Sequence, residues 1–340
     1  MVVKMIEFPN LFSGITISAG RVAFNILGVD IYWYGIIITA AVVLGIMYAI
    51  KFAARAGIIS DDVFETAFWG VISGFIGARA YYVFFWNANP DNLTKYNFVS
   101  AVTGIRDGGL AIYGGLIGAL IGGVIAARFK KVRFAPLSDL IGLGFLIGHS
   151  VGRWGNFFNQ EAFGAATAGN LPWGMTGNII ERTPEVIAAQ AQFGNSGFAL
   201  VHPCFLYESL WCLLGLVILH FYMKKFRTFD GEIFLLYLMW YGTGRAFIES
   251  LRLDSLTAGG LRVSQVLAIL SAVLALGLFI RGKIKYTPEK GYTMYKNTCE
   301  SKRLIEGYGY KVKLENEKEK AKNSLEKTKR ELTEPFDTDN

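Results

Sequence analysis

The chain has 340 residues and a formal net charge of +7; 52% of its residues are hydrophobic and only 18% are charged. Ordinary soluble domains carry roughly 25% charged residues, so a soluble fold is excluded for most of the chain. The charge is also unevenly spread, since 26 of the last 60 residues are charged but only 35 of the first 280. The sequence therefore predicts a membrane domain, residues 1–285, followed by a charged cytoplasmic extension, residues 286–340.

Seven stretches approach the length of about 20 apolar residues that a membrane-spanning helix needs. They are Ile31–Phe52, Phe64–Trp86, Leu110–Phe129, Leu137–Gly152, Pro203–Tyr222, Ile233–Leu251 and Val263–Ile280. The predicted fold class is all-α, a polytopic membrane protein with about seven transmembrane helices. In the third stretch, Gly114, Gly118 and Gly122 recur every four residues, which predicts close packing against another helix.

The Lys and Arg residues beside the predicted helices indicate their orientation, because cytoplasmic loops carry an excess of these residues. With the N-terminus outside, twelve of them flank the helices on the inner side and five lie in outer loops. We therefore predict an outer N-terminus and a cytoplasmic C-terminus. The longest outer loop, about Phe163–Val201, has a length that often marks a lid or a docking surface.

A polar run follows the fourth predicted helix, where ionisable groups are costly unless they are partnered. If the helix continues through this run, His149, Arg153, Asn156 and Gln160 share one face. An Arg that only extends its head to the membrane surface would not need the two Asn residues and Glu161 beside it. The run is therefore a candidate site.

The sixth predicted helix carries a second polar stripe, Tyr241, Arg245, Glu249 and Arg252, at spacings of four, four and three residues. Residues at these spacings lie on one helix face. The stripe could be a self-neutralising ion-pair ladder. Alternatively, Arg245 and Arg153 could together bind a divalent anion such as a phosphate, which guanidinium groups recognise in a planar fork.

Three further features of the sequence could belong to the site or have a structural role instead. Glu208, near the start of the fifth helix, is either part of a site or a structural partner for an Arg of another helix, because an unpaired carboxylate is costly there. Tyr34 and its two aromatic neighbours could be interfacial anchors. Arg79 and Asp139 are isolated charges for which we expect structural roles.

The run Gly152–Gly164 resembles the signature G-R-x-G-N-F-x-N-x-E-x-x-G of the prolipoprotein diacylglyceryl transferases. The supporting motifs, in the order of that family, are Trp33-Tyr34-Gly35, Gly77-Ala78-Arg79, Asp107-Gly108-Gly109-Leu110, His202-Pro203 with Tyr207-Glu208, and Tyr241-Gly242-Thr243-Gly244-Arg245. The resemblance covers about Val22–Arg281.

This resemblance implies a seven-helix bacterial enzyme that moves the diacylglyceryl group of phosphatidylglycerol to the lipobox cysteine of a prolipoprotein, releasing glycerol phosphate. It implies that Arg153 and Arg245 hold the phosphate. Asn156 and Glu161 would orient the head group, and Tyr34 and Glu208 would line the site. Tyr241 and Glu249 complete the expected substrate-binding set, and the expected catalytic set is Arg153, Arg245, Tyr113 and Glu161.

The sequence departs from the family at Tyr113, because many members have His in a His-Gly-Gly-Leu motif there and that His is a candidate base for the thiol. A Tyr with an ordinary pKa near 10 is a poor base at neutral pH. The alternatives are a lowered Tyr113 pKa beside an Arg, another acceptor such as His202, or the field of the two Arg residues acting on the thiol.

The expected partners are phosphatidylglycerol, prolipoprotein signal peptides with a lipobox cysteine, and membrane lipid, without nucleic acid. No metal or cofactor is expected, because the three His residues form no H-E-x-x-H or similar group. The expected location is the bacterial cytoplasmic membrane. Two other functions stay open: an anion transporter, although no internal repeat typical of transporters is visible, and a non-catalytic lipid-binding scaffold.

Overall fold

The structure, a computed structural model, describes residues 5–12, 14–18, 20–92, 94–104, 108–167, 171–192, 200–253, 255 and 257–333. Asp107, which belongs to one of the supporting motifs, lies outside this part of the chain. The described residues form ten α-helices: α1 (Trp33–Ala56), α2 (Ser60–Ala88), α3 (Phe98–Thr103), α4 (Ile112–Phe129), α5 (Phe134–Asn159), α6 (Pro184–Gln192), α7 (Cys204–Lys225), α8 (Glu232–Leu251), α9 (Val263–Lys285) and α10 (Cys299–Thr333).

The prediction of an all-α polytopic membrane protein is confirmed. Six described helices, α1, α2, α4, α5, α7 and α9, are long and apolar enough to cross a membrane. The remaining predicted span corresponds to α8, a 20-residue helix that carries the polar stripe. The count of seven spans and the orientation of the termini stay predictions, and we use "outer" and "cytoplasmic" in that predicted sense.

Helix α5 lies at the centre of the bundle. It packs on α1, α7 and α8, whereas α2 packs along α4, and α9 packs on α8. Of the six apolar helices, α5 has the largest buried fraction. The polar face of α5 therefore meets other protein segments, as polar groups at membrane depth require.

Helix α5 continues past its predicted end at Gly152 and stops at Asn159, because Gln160 adopts a left-handed conformation with φ of 52°. This turn separates Gln160 from the face of Arg153, so the predicted grouping is wrong for Gln160. Its side chain is buried, and its Oε1 accepts a hydrogen bond from the amide of Ile179 at 2.9 Å. Gln160 thus supports the outer loop.

The outer connections contain short antiparallel strands that hydropathy did not predict. They are β1 (Met5–Phe8), β2 (Ile15–Ser18), β3 (Val22–Ile26), β4 (Val29–Tyr32), β5 (Ala166–Thr167), β6 (Thr176–Gly177), β7 (Leu200–Val201), β8 (Thr257–Ala258) and β9 (Leu261–Arg262). Strand β1 lies between β2 and β6, while β3 pairs with β4, β5 with β7 and β8 with β9. Within its described residues, the long loop Phe163–Val201 thus contains three strands and α6.

The two isolated charges have the structural contacts that the sequence analysis expects. Asp139 is fully buried and accepts hydrogen bonds from the first amides of α8, at 2.8 Å from Ile233 and 3.1 Å from Phe234. Arg79 donates to the carbonyl oxygens of Ala101 and Gly108 at 2.7 and 2.8 Å. Asp139 therefore caps a helix, and Arg79 fixes the connection between α2 and α4.

The glycines of α4 allow α2 and α4 to approach closely. A Cβ atom on Gly118 would collide with the carbonyl oxygen of Ser73 and lie 3.1 Å from the Cα of Gly77. A Cβ atom on Gly123, five residues further along α4, would meet no atom of another segment within 4 Å.

We expect Gly118→Ala to destabilise the protein by about 1–3 kcal/mol, because backbone atoms of α2 would have to move. Gly123→Ala is the matched control and should be neutral or slightly stabilising, since Ala is the better helix former. Thermal unfolding of the purified variants in detergent measures both changes. Equal melting temperatures for the two variants would contradict the close packing.

Candidate active site

The centre of the candidate site is the buried carboxylate of Glu208 on α7, which binds guanidinium groups from two other helices. Arg153 Nη2 on α5 lies 2.7 Å from Glu208 Oε1, and Arg245 Nη1 on α8 lies 2.9 Å from Oε2. The Glu208 side chain is 3% exposed, whereas those of Arg153 and Arg245 are 17% and 12% exposed. One carboxylate thus positions two guanidinium groups that other molecules can still reach.

The polar stripe of α8 contains the ion-pair ladder that the sequence left open, and the same Arg245 also reaches the carboxylate that binds Arg153. Arg245 Nη2 pairs with Glu249 Oε2 at 2.7 Å, so the ladder exists. Arg245 also binds Glu208, and Tyr241 Oη donates to the same carboxylate at 3.1 Å. Arg252 lies farther from Glu249, at 3.9 Å. Through Glu208 of α7, the α8 stripe is therefore joined to Arg153 of α5.

A hydrogen-bonded chain extends from this centre to the outer end of α5. Arg153 Nη1 donates to Asn156 Oδ1 at 3.1 Å, and Asn156 Nδ2 donates to Glu161 Oε1 at 2.8 Å. Asn159 Nδ2 donates to the same Glu161 oxygen at 3.2 Å. The motif residues thus act as one network that begins at Glu208 and ends at Glu161.

Glu161 differs from the other carboxylates of the network. Among the described residues, Glu208 and Glu249 both pair with Arg side chains, whereas no cation lies within ion-pair distance of Glu161. Its known partners are two amide groups, and both contact the same oxygen. Its second oxygen has no hydrogen-bond donor within the described part of the chain, so it is available to a bound molecule.

Tyr34, in the first turn of α1, joins the site through a close contact with the motif. Its ring lies against Gly155, where a Cβ atom would be 2.9 Å from Tyr34 Cδ2. It is also close enough to Arg153 and Glu161 to interact with both electrostatically. Gly155 is therefore needed for the approach of α1 to α5.

The loop after α5 closes the site. The amide of Gly164 donates to the carbonyl oxygen of His202 at 2.8 Å, and the amide of Ala165 donates to that of Leu251 at 2.7 Å. A Cβ atom on Gly164 would lie 2.7 Å from the Cβ of His202. Gly164 thus joins the start of α7 to the end of α8.

The structure brings together eight of the nine predicted site residues: Tyr34, Arg153, Asn156, Glu161, Glu208, Tyr241, Arg245 and Glu249. Tyr113 differs, because it lies in the first turn of α4 with a 44% exposed side chain. No hydrogen bond or ion pair connects Tyr113 to the network in the described residues.

His202 is directed toward a different group of side chains. Its Nδ1 lies 3.1 Å from Tyr207 Oη, which also accepts a hydrogen bond from Trp173 Nε1 at 2.6 Å. Burial lowers the pKa of His202, so the imidazole is neutral at pH 7. In the described residues its side chain has no direct bond to either guanidinium group of the centre.

One supporting residue, Ser209, was not singled out from the sequence. Ser209, next to Glu208, donates to the carbonyl oxygen of Ser150 at 2.7 Å and accepts from Trp154 Nε1 at 3.2 Å. The sequence signal that could have identified Ser209 is a polar residue next to Glu208 in an otherwise apolar helix.

Within the described residues, no group of three or more His, Cys, Asp or Glu side chains could hold a metal ion.

We expect Glu208→Gln to destabilise the protein by about 3–5 kcal/mol, because Arg153 would lose its ion-pair partner and Arg245 one of its two, both in a mostly buried network. Arg245→Met alone should also destabilise it, but the double variant should be more stable than the sum of the single effects predicts. Melting temperatures in detergent give the comparison. Glu315→Gln, which removes an exposed ion pair to Lys311 at 3.9 Å, is the control and should have little effect. Strict additivity in the double variant would contradict the shared carboxylate.

The family model described as prolipoprotein diacylglyceryl transferase matches residues 21–281. A phosphatidylglycerol--prolipoprotein diacylglyceryl transferase of Clostridioides difficile (strain 630) is 40% identical over 74% of this chain and 91% of its own length. Proteins of the same name from Listeria innocua and Finegoldia magna are each 39% identical over 78% of this chain, covering 91% and 96% of their lengths. This chain belongs to the prolipoprotein diacylglyceryl transferase family.

Proposed function

We propose that the protein transfers the diacylglyceryl group of phosphatidylglycerol to the thiol of the lipobox cysteine in a prolipoprotein, the first step of bacterial lipoprotein maturation. The observation that carries this proposal is the pair Arg153 and Arg245, held by one buried carboxylate and still partly accessible. Family membership supports the reaction, and the two Arg side chains support the binding of a phosphate.

The reaction exchanges one bond to carbon for another. The cysteine thiol gives up its proton, and its sulfur attacks the glyceryl carbon that carries the phosphate. A carbon–sulfur thioether bond forms as the carbon–oxygen bond to phosphate breaks, and the bonding electrons leave with glycerol phosphate. The phosphodiester begins with one negative charge, and the phosphomonoester leaves with a second.

Arg153 and Arg245 are suited to stabilise that developing charge. Donors that are already oriented need not reorganise in the transition state, and they act more strongly where water is excluded. Glu208 and Glu249 use some of the N–H groups of these guanidinium groups, and the remaining donors can bind phosphate oxygens. The proposed catalytic role of the two Arg residues is therefore to bind the phosphate and to stabilise it as it leaves.

The neighbouring polar groups would orient the lipid. We assign Asn156 to the glycerol head group, because its amide lies between Arg153 and Glu161. Tyr34 and Tyr241 would line the binding site from opposite sides of the network. Glu208 and Glu249 would act mainly on the Arg residues that they hold.

For the proton of the thiol, we propose Glu161 as the acceptor. A general base needs lone pairs that a substrate can reach and a charge that a cation has not already neutralised. Glu161 has a free oxygen at the outer end of the network and no ion-pair partner in the described residues. Tyr113, the predicted catalytic residue of α4, has no direct connection to this network, which argues for Glu161 in its place.

The proposed setting is the bacterial cytoplasmic membrane, with the N-terminus outside and the C-terminus in the cytoplasm. The site then lies at the outer end of α5, where both a phosphatidylglycerol head group and the cysteine of a translocated signal peptide can reach it. The division into a membrane-embedded transferase domain, 1–285, and a cytoplasmic extension, 286–340, is part of this proposal.

We expect Arg153→Ala and Arg245→Ala each to lower the transfer rate by at least about 10²-fold, the effect of losing one donor that stabilises a developing charge. Purified variants would be incubated with phosphatidylglycerol and a lipobox peptide, and the added diacylglyceryl mass would be measured by mass spectrometry. A peptide with Ser in place of Cys should not react. Arg182→Ala, at an exposed outer residue, is the control and should retain full activity. Full activity in either site variant would refute the phosphate-binding role.

We expect Glu161→Gln to lower the rate by about 10²–10⁴-fold, the usual contribution of general base catalysis. The rate is measured as the added diacylglyceryl mass, as for the Arg variants. Glu181→Gln, at an outer carboxylate bonded to Thr176, is the matched control. Full activity in Glu161→Gln together with a loss of activity in Tyr113→Phe would assign the proton to Tyr113 instead.

A further inference from the structure

The segment after α9 lies outside the residues that match the family, yet its first part is closely packed. We name residues 292–312 the strap. The strap contacts the cytoplasmic ends of several helices through three groups of residues.

The first contact joins the strap to the connection between α7 and α8. Tyr292 Oη donates to Asp230 Oδ2 at 2.9 Å, and the amide of Tyr295 donates to the same oxygen at 2.7 Å. Asp230 Oδ1 accepts from Arg227 Nη2 at 2.6 Å, and Arg227 pairs with Asp139 of α5 at 3.3 Å. The strap is thus part of the buried network that caps α8.

The second contact is apolar. Tyr295 is 6% exposed and belongs to an apolar cluster formed by α1, the turn after α1, the start of α2, the end of α4 and the start of α5. Other members of this cluster are Ala53, Ile58, Val63, Ala127 and Leu140. The strap therefore adds an aromatic residue to the cluster in which the ends of α2 and α4 meet α1 and α5.

The third contact is with the turn between α1 and α2. Ser301 is fully buried, and its hydroxyl donates to the carbonyl oxygen of Gly57 at 2.8 Å. Gly57 has φ of 86°, and a Cβ atom there would lie 2.7 Å from the Cα of Lys296. Tyr308 Oη donates to Asp61 Oδ1 at 2.7 Å, which raises the pKa of Tyr308 to about 12.

The contact face has helical periodicity. Along α10, Ser301, Ile305, Tyr308 and Val312 are buried or half-buried, while the residues between them are exposed. This spacing places the four residues on one face of the helix. The residues from 313 to 320 are exposed, so the contact ends at Val312.

We propose that the strap fixes the turn between α1 and α2 against the connection between α7 and α8, and so sets the position of the α2–α4 pair relative to the helices of the site. The pair needs such a support because α4 packs mainly on α2, and α2 meets the remaining helices chiefly at α1. This role does not depend on the proposed reaction. It revises the boundary proposed above at residue 285: residues 292–312 become a structural part of the membrane domain, and the separate extension is confined to residues beyond 312.

The test compares a chain that ends at Gly291 with a control chain that ends at Val312. Spin labels on Cys residues introduced at Phe64 of α2 and Lys225 of α7, in a Cys299→Ser background, would report the distance between the two sides. Both labelled positions are exposed. The chain ending at Gly291 should melt several degrees lower and show a broader distance distribution, whereas the chain ending at Val312 should match the full protein.

A second variant keeps the full length and removes two hydroxyl groups, Tyr292→Phe with Tyr308→Phe. It should lower the melting temperature by about 2–4 °C for each lost hydrogen bond. Tyr310→Phe, at a 72% exposed ring, is its control and should cause no change. If the chain ending at Gly291 does not fold, the double Tyr variant, spin-labelled at the same two positions, decides the question.

Three results would overturn the proposal. The chain ending at Gly291 could match the full protein in melting temperature and in distance distribution. It could melt lower with an unchanged distance distribution, which would reduce the strap to a local stabilising element. The double Tyr variant could melt at the temperature of the full protein.

Discussion

The architecture depends on one buried carboxylate, Glu208, placed in an apolar bundle between two guanidinium groups. A charge in this environment is expensive unless it is paired and hydrogen-bonded, so α5 and α8 must both supply an Arg to α7. The same contacts leave the side chains of Arg153 and Arg245 partly exposed, at 17% and 12%. The interaction that makes the buried charge tolerable therefore also holds in place the two guanidinium groups that we propose bind the phosphate.

Small and neutral residues around this ion-pair network allow its side chains to approach one another. Gly155 lets the Tyr34 ring approach α5, and Gly164 lets the loop after α5 pass between the start of α7 and the end of α8. Asn156 links the Arg pair to Glu161 without adding charge. Glu208 and Glu249, in the interior, pair with Arg, whereas Glu161, near the outer end of α5, has no ion-pair partner among the described residues. That separation matches a reaction in which one region holds a phosphate and another accepts a proton.

A second polar network holds the opposite end of the bundle. Asp139, Arg227 and Asp230 are joined by ion pairs of 3.3 and 2.6 Å, and they connect the start of α8 to the strap. Between the two networks the helices meet through apolar and small residues, as at Gly118. Packing alone is a weak determinant of helix position in lipid, where the surrounding solvent is as apolar as the side chains. Ionic contacts at both ends therefore define the arrangement of the helices.

The sequence by itself determined the all-α membrane class, the positions of the helices, the close packing of α4 and most of the site. These features follow from local properties of the sequence. The length of an apolar stretch indicates a membrane-spanning helix, and a four-residue spacing indicates that residues share one helix face. It could not determine that Gln160 turns away from Arg153, because a left-handed residue ends the helix there. Nor could it place Tyr113 apart from the network or Tyr295 among the helices. Those positions depend on contacts between residues far apart in the chain, which only the tertiary structure decides.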